Sequence, residues 1–174
     1  MRRVSLTQRA ALEDPHSAEV EVVLMQFEHP SLSAPLRLST DPTERISAEP
    51  LTYGTRSSWN GADPEEAPYL FVLASAEVPG DQEEGAAPAS LVLENLDASI
   101  GELLTSFTDR ATVHLAIALA STPDVIEAEF RDLKLVAASG TEAEIVLSVT
   151  RAPIEDESVP SVRMTPTLFP GLFP

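Results

Sequence analysis

The chain contains no cysteine and only three histidines, so it lacks most of the residues that build metal and redox centres. Without cysteine there are no disulfides and no thiolate metal sites. His16, His29 and His114 do not occur at the i, i+4 spacing that places two ligands on one helix face. We therefore expect no metal site and no cofactor site.

Glycine is also scarce, and its seven copies are scattered through turns. They form neither a phosphate-binding loop nor the Gly-x-Ser-x-Gly elbow of a serine nucleophile. Acidic pairs such as Glu65 with Glu66 lie in loops, whereas general acid–base catalysis needs a carboxyl group with a perturbed environment. The sequence offers no catalytic residue, and we expect the protein not to be an enzyme.

Basic residues number 11 against 28 acidic ones, which gives a net charge of −17. Such a chain should repel phosphate backbones, so we expect no specific binding of nucleic acid. The charge either serves solubility alone or lines a channel that DNA crosses without adhering. Arg2 and Arg3 are followed by polar residues rather than an apolar run, which predicts neither a signal peptide nor a membrane span.

Alternating apolar residues are the main structural signal in the sequence. Together with turn-forming residues between the segments, they predict a mainly β fold, an antiparallel β-sandwich or barrel. A change of phase at Arg131-Asp132 predicts a bulge there. The predicted strands cover residues 19–28, 35–40, 69–77, 91–96, 111–120, 125–136 and 143–149.

The apolar pattern also predicts how individual strands are buried. The second half of 19–28 should be buried on both faces or bulged. Residues 69–77 are apolar on both faces and should form an interior strand, followed by a loop over 79–88. Short turns at 121–124 and 138–141 make the last three strands an antiparallel meander. In the middle strand of the meander, alternation places Ile126, Ala128 and Phe130 on one face.

Two short helices are predicted by their capping residues. Ser5 precedes the first, over residues 5–13, with Gln8 three positions on, and Pro15 prevents its continuation. Ser99 precedes the second, with Glu102 completing a capping box before an apolar i, i+3, i+4, i+7 pattern.

Residues 53–68 are predicted to form an irregular loop with turns at Asn60-Gly61 and Asp63-Pro64. The loop holds Trp59, the only tryptophan, and begins at Tyr53. Trp59 either anchors an interface, stacks on a sugar, or fills one end of the β fold.

The residues after 152 differ in kind from the rest. Five of the 15 prolines follow residue 152, and proline removes the backbone donors that a central strand requires. We therefore divide the chain into a β-rich domain, 1–152, and an extended arm, 153–174. The arm either folds back on its own domain or packs on a neighbouring subunit, and we predict interface contacts by its apolar residues Leu168, Phe169, Leu172 and Phe173, with Tyr53 and Trp59 in the loop.

Several segments resemble a phage minor tail protein family whose domain has no assigned function. They are Met-Gln-Phe-Glu-His-Pro-Ser-Leu at 25–32, Pro-Leu-Arg-Leu at 35–38, Leu-Val-Leu-Glu-Asn-Leu at 91–96 and Ser-Thr-Pro-Asp-Val-Ile-Glu at 121–127. The ending Thr-Pro-Thr-Leu-Phe-Pro-Gly-Leu-Phe, at 165–173, is similar to the C-terminal signature of that family. The resemblance spans residues 17–173.

The resemblance implies a structural protein of the tail tip of long-tailed phages, encoded near the tape measure gene. By analogy of position it implies a distal tail protein, a homohexameric ring joining the tail tube protein to the hub or baseplate proteins. It would be made in the host cytoplasm and reside in the virion, with the tape measure as a further partner. The alternative is a tail-tip module that binds host-surface carbohydrate on Trp59 and Tyr53.

Overall fold

The structure is a computed structural model that describes residues 4–77, 89–94, 110–140 and 144–151. Within these ranges it has one α-helix and ten β-strands, which confirms the predicted mainly β class. The elements are α1 (Leu6–Glu13), β1 (Glu21–Glu28), β2 (Leu36–Ser39), β3 (Glu44–Ala48), β4 (Leu51–Thr55), β5 (Tyr69–Phe71), β6 (Leu73–Glu77), β7 (Ala89–Glu94), β8 (Thr112–Leu119), β9 (Thr122–Gly140) and β10 (Glu144–Arg151).

The predicted first helix is confirmed, and Ser5 caps it by accepting a hydrogen bond from Gln8 N at 3.0 Å. The reciprocal half of the capping box does not form. The Gln8 side chain is instead buried and donates to the Glu21 carboxylate at the start of β1. The helix is therefore fixed to the sheet through a polar side chain.

The strands form one curled sheet in the order β3-β4-β5-β2-β1-β8-β9-β10-β7-β6. All pairs are antiparallel except β2 with β5. β5 and β6 are separated in the chain only by Val72, yet β5 pairs with β2 and β4 while β6 pairs with β7. Because consecutive residues belong to distant strands of this order, the sheet curves back on itself as a half-barrel.

The interior of this half-barrel is the main hydrophobic core. It is formed by alternate residues of the strands, so that Met25 and Phe27 of β1 face inward while Leu24 and Gln26 face outward. β1 is buried on both faces over its second half, as its sequence predicts. The buried members are Met25, Phe27, Leu38, Val72, Leu91, Leu93, Ala111, Val113, Leu115, Leu133, Leu135, Ile145, Leu147 and Val149.

The predicted antiparallel meander of three strands is confirmed as β8, β9 and β10. The predicted bulge is confirmed too, because Asp132 has φ of 58° and the β8–β9 register shifts between Val113 and Leu115. A second shift lies between Ile117 and Ala118, and it turns Ile126 onto the outer face. The sequence grouped Ile126 with Ala128 and Phe130, and that part of the prediction is wrong.

Two details of the predicted strand pattern also require correction. Residues 53–68 were predicted as irregular from Tyr53 onward, but Tyr53 belongs to β4, which forms a hairpin with β3. This hairpin has few buried apolar residues and hence no alternation to reveal it. Residues 69–77, predicted as one interior strand, divide at Val72, and β6 stands last in the strand order.

Several predictions lie outside the described residues. They are the helix over 99–107, the loop over 79–88 and the arm over 153–174. The predicted domain boundary between residues 152 and 153 also lies outside the described residues and stays a prediction.

Candidate functional site

The outer face of the sheet carries a second, smaller buried cluster beneath the loop that follows β4. Leu24 and Ala116 contribute from β1 and β8, and Tyr69 contributes from β5. Trp59 and Ala62 contribute from the loop itself. The loop thus covers the part of the outer face that is formed by β5, β1 and β8.

A tight turn shapes the tip of this loop. Asn60 and Gly61 both have positive φ, of 52° and 73°, and Ala62 N donates to Trp59 O at 3.2 Å. Two consecutive left-handed residues are typical of a type I′ turn, which Asn-Gly favours. The predicted Asn-Gly turn is confirmed, and it directs the Trp59 ring onto the sheet.

The loop is anchored at its start by Asp124, at the beginning of β9. Ser58 donates to Asp124 Oδ1 through its backbone N at 2.7 Å and through its hydroxyl at 2.9 Å. Ser57 adds a hydroxyl contact to the same atom at 3.2 Å. The hydrogen bond from the Ser58 backbone is the main cause that holds the pKa of Asp124 below its ordinary value.

Trp59 is held by packing and by hydrogen bonds. Its ring lies 5.9 Å from the Tyr69 ring at an interplanar angle of 36°, and its Nε1 donates to Glu129 Oε1 at 3.0 Å. Arg131 contacts the same carboxylate oxygen at 2.5 Å and donates to Asn60 Oδ1 at 2.9 Å. The β9 ion pair of Glu129 and Arg131 therefore holds both the Trp59 indole and the Asn60-Gly61 turn in place.

Tyr69 lies at the centre of the cluster and is fully buried. Its Oη is 2.8 Å from Trp59 O and 3.2 Å from Gln26 Oε1, so its proton has two acceptors within reach. Burial raises the pKa of Tyr69 to about 12, against the opposing effects of Arg37 and Arg131. The phenol is therefore a neutral structural donor near neutral pH rather than a nucleophile or base.

A row of polar side chains continues across the outer face from β2 to β9. Arg37 Nε donates to Gln26 Oε1 at 3.1 Å, and Gln26 is paired in register with His114. His114 Nδ1 accepts a hydrogen bond from Asp132 N at 3.2 Å, so the imidazole provides the acceptor for a backbone N–H group at the bulge. Its other nitrogen, Nε2, lies 3.7 Å from Glu28 Oε1.

These hydrogen bonds give the polar row a structural role: it stabilises the β9 bulge at Asp132 and the loop that holds Trp59. The buried members, Gln26 and His114, each have a partner within the row, which is the condition for burying polar groups at low cost. Among the described residues no group of three or more histidine and acidic side chains is placed to hold a metal ion. No described helix has the length and apolarity needed to cross a membrane.

Beside the covered cluster lies an exposed apolar strip. Gly54 and Thr55 of β4 pair with Leu70 and Tyr69 of β5, and the next step of that register sets Tyr53 against Phe71. Val72 is buried in the inner core, so the alternating residues on either side of it face outward. We call these four exposed residues the outer stripe: Leu51 at 61%, Tyr53 at 39%, Phe71 at 38% and Leu73 at 53% exposure.

The structure places the two described interface candidates differently. Tyr53 is exposed within the outer stripe, whereas Trp59 is buried at 6% exposure. Stacking of a sugar on Trp59 would require the loop to release it, since its ring packs on Tyr69. Leu168, Phe169, Leu172 and Phe173 lie outside the described residues.

Sequence reasoning missed Leu51, Phe71 and Leu73 as surface residues. Phe71 and Leu73 belong to the segment predicted as buried on both faces, and only the division at Val72 leaves them on the surface. The available signal was that residues 69–77 hold more apolar side chains than one buried face of a strand requires.

A comparison with the models of known protein families finds no match, and a search of curated proteins finds no significant relative.

Proposed function

We propose that this protein is a structural subunit that acts by assembling with other polypeptides. The observation that carries the proposal is the outer stripe, four exposed apolar side chains of which two lie on β4, one on β5, and one, Leu73, on β6 directly after Val72. Exposed apolar residues are ordinary when single, but a contiguous group marks a surface that another molecule covers. Small ligands are usually held in concave pockets, whereas exposed side chains on a sheet surface are typical of contacts with another polypeptide.

The charge of the chain supports an assembly rather than nonspecific association. At −17, copies repel one another unless specific contacts overcome that repulsion. The outer stripe contributes apolar contact area without adding charge.

At the finer level we propose a component of the tail tip of a long-tailed phage. In this role the chain forms a ring, a homohexamer, between the tail tube and the hub or baseplate. The resemblance of residues 165–173 and of the shorter segments supports this role, and the acidic composition suits a lumen through which DNA passes. Ring closure requires contact between unlike surfaces of neighbouring copies, and the outer stripe provides one such surface.

The direct test is the composition and image of assembled particles from the genome that encodes this chain. We expect mass spectrometry of purified particles to find the chain in a few copies per tail. Cryo-electron microscopy should place it between the tube and the hub. Tailed particles that lack the chain altogether would refute the tail-tip role.

Assembly itself is tested by matched variants of two exposed apolar residues. Leu73→Ser changes the outer stripe, and Val136→Ser changes a β9 residue of the same 53% exposure outside it. We expect Leu73→Ser to reduce incorporation into particles several-fold and Val136→Ser to leave it unchanged. Equal incorporation of both variants would show that the outer stripe is not needed for assembly.

A further inference from the structure

The aromatic and apolar side chains of the outer stripe limit the kind of polypeptide that can cover it. Two of its four members, Tyr53 on β4 and Phe71 on β5, are aromatic, and each lies one residue beyond the Gly54–Leu70 pair of these neighbouring strands. Leu51 lies two residues before Tyr53 and Leu73 two residues after Phe71, and both are exposed. Aromatic strips with apolar flanks bind proline-rich extended segments, because proline rings pack on aromatic faces and the segment loses little conformational entropy.

One segment of the sequence has the complementary composition. Residues 164–174 contain no charged side chain, in a chain of which 22% is charged. Pro166, Pro170 and Pro174 recur every fourth position. Leucine and phenylalanine pairs fill the intervals between them, at Leu168-Phe169 and Leu172-Phe173.

We infer that residues 164–174 of one copy bind the outer stripe of a second copy. This inference rests on the proposed assembly function and names the contact that would build it. In this contact the uncharged, proline-rich segment covers the exposed side chains of Tyr53 and Phe71. Phe169, at the middle of the segment, is the position that tests it.

Charge explains why this segment is suited to contact another copy. Two surfaces of this acidic protein repel each other on approach, and every buried carboxylate would add a desolvation cost. An uncharged segment avoids both penalties. Apolar contact with the four stripe residues then provides the favourable free energy.

Length permits contact between copies. β10 ends at Arg151, and the 12 residues from 152 to 163 would span roughly 40 Å if extended. That distance is comparable with the diameter of a domain of this size. The segment can therefore reach a neighbouring copy without any movement of the sheet.

The absence of native cysteine allows a direct test by disulfide cross-linking of the full chain. Phe71→Cys and Phe169→Cys are made as separate variants, mixed at about 100 µM, a concentration we choose for weak contacts, and oxidised mildly. We expect a cross-linked dimer whose linked peptides, identified by mass spectrometry, join position 71 of one copy to position 169 of the other.

Val136→Cys mixed with Phe169→Cys is the control, because Val136 is also exposed and lies outside the outer stripe. We expect its cross-link yield to be at least tenfold lower. Equal yields from positions 71 and 136, or no cross-link from position 71, would overturn the inference.

A chain carrying both Phe71→Cys and Phe169→Cys, oxidised at high dilution, tests folding back within one copy. Efficient closure within single chains, without any cross-link between the mixed variants, would also overturn the inference. Particles that contain the chain but yield no such cross-link would reject this contact while leaving the proposed function intact. Particles without the chain would reject the proposed function.

Discussion

The two faces of the curled sheet are built by different means. The inner face is a continuous apolar core to which β1, β2 and β7 to β10 contribute alternate residues. The outer face buries only a small apolar cluster, and hydrogen bonds between Trp59, Tyr69, Gln26 and Glu129 complete it. The inner face is therefore stabilised mainly by the area it removes from water, and the outer face by specific partners.

This difference assigns stability and recognition to different surfaces. The side chains of the inner core are buried within the chain. The outer face is covered in part by its own loop, and it also carries the polar row and the outer stripe. Substitutions on the inner face should act on the free energy of unfolding, and those on the outer stripe should act on assembly.

The largest expected effect separates two phenylalanines, one on each face. Phe27→Ala leaves a cavity in the inner core and should reduce the free energy of unfolding by about 3–5 kcal/mol. Phe71→Ala, on the outer stripe, should cost under about 1 kcal/mol. Urea denaturation of both variants measures the contrast, and similar losses would mean that the two faces are not distinct.

The next effect is expected at Gly54, where β4 approaches β5 closely. A Cβ at this position would lie 2.0 Å from the Tyr69 carbonyl oxygen, which is backbone and cannot move aside. Gly54→Ala should cost about 3 kcal/mol and release the β3–β4 hairpin from β5. Amide hydrogen exchange should show lost protection in β4 with protection retained in β8 and β10, whereas unchanged exchange in β4 would contradict this pairing.

A smaller effect is expected at Tyr69, where the outer cluster depends on a buried phenol. Tyr69→Phe removes the donor to Trp59 O and should cost about 1 kcal/mol near neutral pH. Because the folded-state pKa of about 12 exceeds the ordinary 10.0, the native protein keeps the phenolic proton to a higher pH than the unfolded chain does. This contribution is complete below pH 10 and lost as the pH rises toward 12.

Denaturation at several alkaline pH values should therefore show a steeper loss for the wild type than for Tyr69→Phe. Tyr53→Phe is the control, since Tyr53 is exposed. Parallel losses for the wild type and Tyr69→Phe would contradict the buried state of Tyr69.

The smallest effect is expected at the loop anchor. Asp124→Ala removes the acceptor of Ser57 and Ser58 and should cost about 0.5–1 kcal/mol. Since the pKa of Asp124 is lowered in the folded state, its contribution is present above pH 3.8 and lost as the pH falls through the folded-state value. Stability measured between pH 6 and pH 3 should depend less on pH in this variant than in Glu66→Ala, an exposed control in the same loop.

Much of the fold followed from local patterns in the sequence. Ser5 and Pro15 bounded α1, alternation gave β8 and β10, and the change of phase at Arg131-Asp132 gave the bulge. Asn60-Gly61 gave the turn that positions Trp59. Each of these signals depends on residues that are close in the chain.

The candidate surface could be predicted only in part. Tyr53 was selected as an interface residue and is exposed, but Phe71 and Leu73 were assigned to an interior strand. Their exposure results from the division at Val72, where the chain leaves one arm of the sheet for another. That division depends on pairing with β2 and β7, which are distant in sequence.

The sequence by itself determined the class of the protein: a mainly β, strongly acidic chain without cysteine. These properties depend on the composition and on the alternation of apolar residues along each strand. Neither changes with the register in which the strands pair. Only the tertiary structure decided which apolar residues enter the core and which remain on the surface, because burial depends on the neighbours that curvature and long-range pairing provide. Trp59 became a core residue and Phe71 a surface residue for that reason.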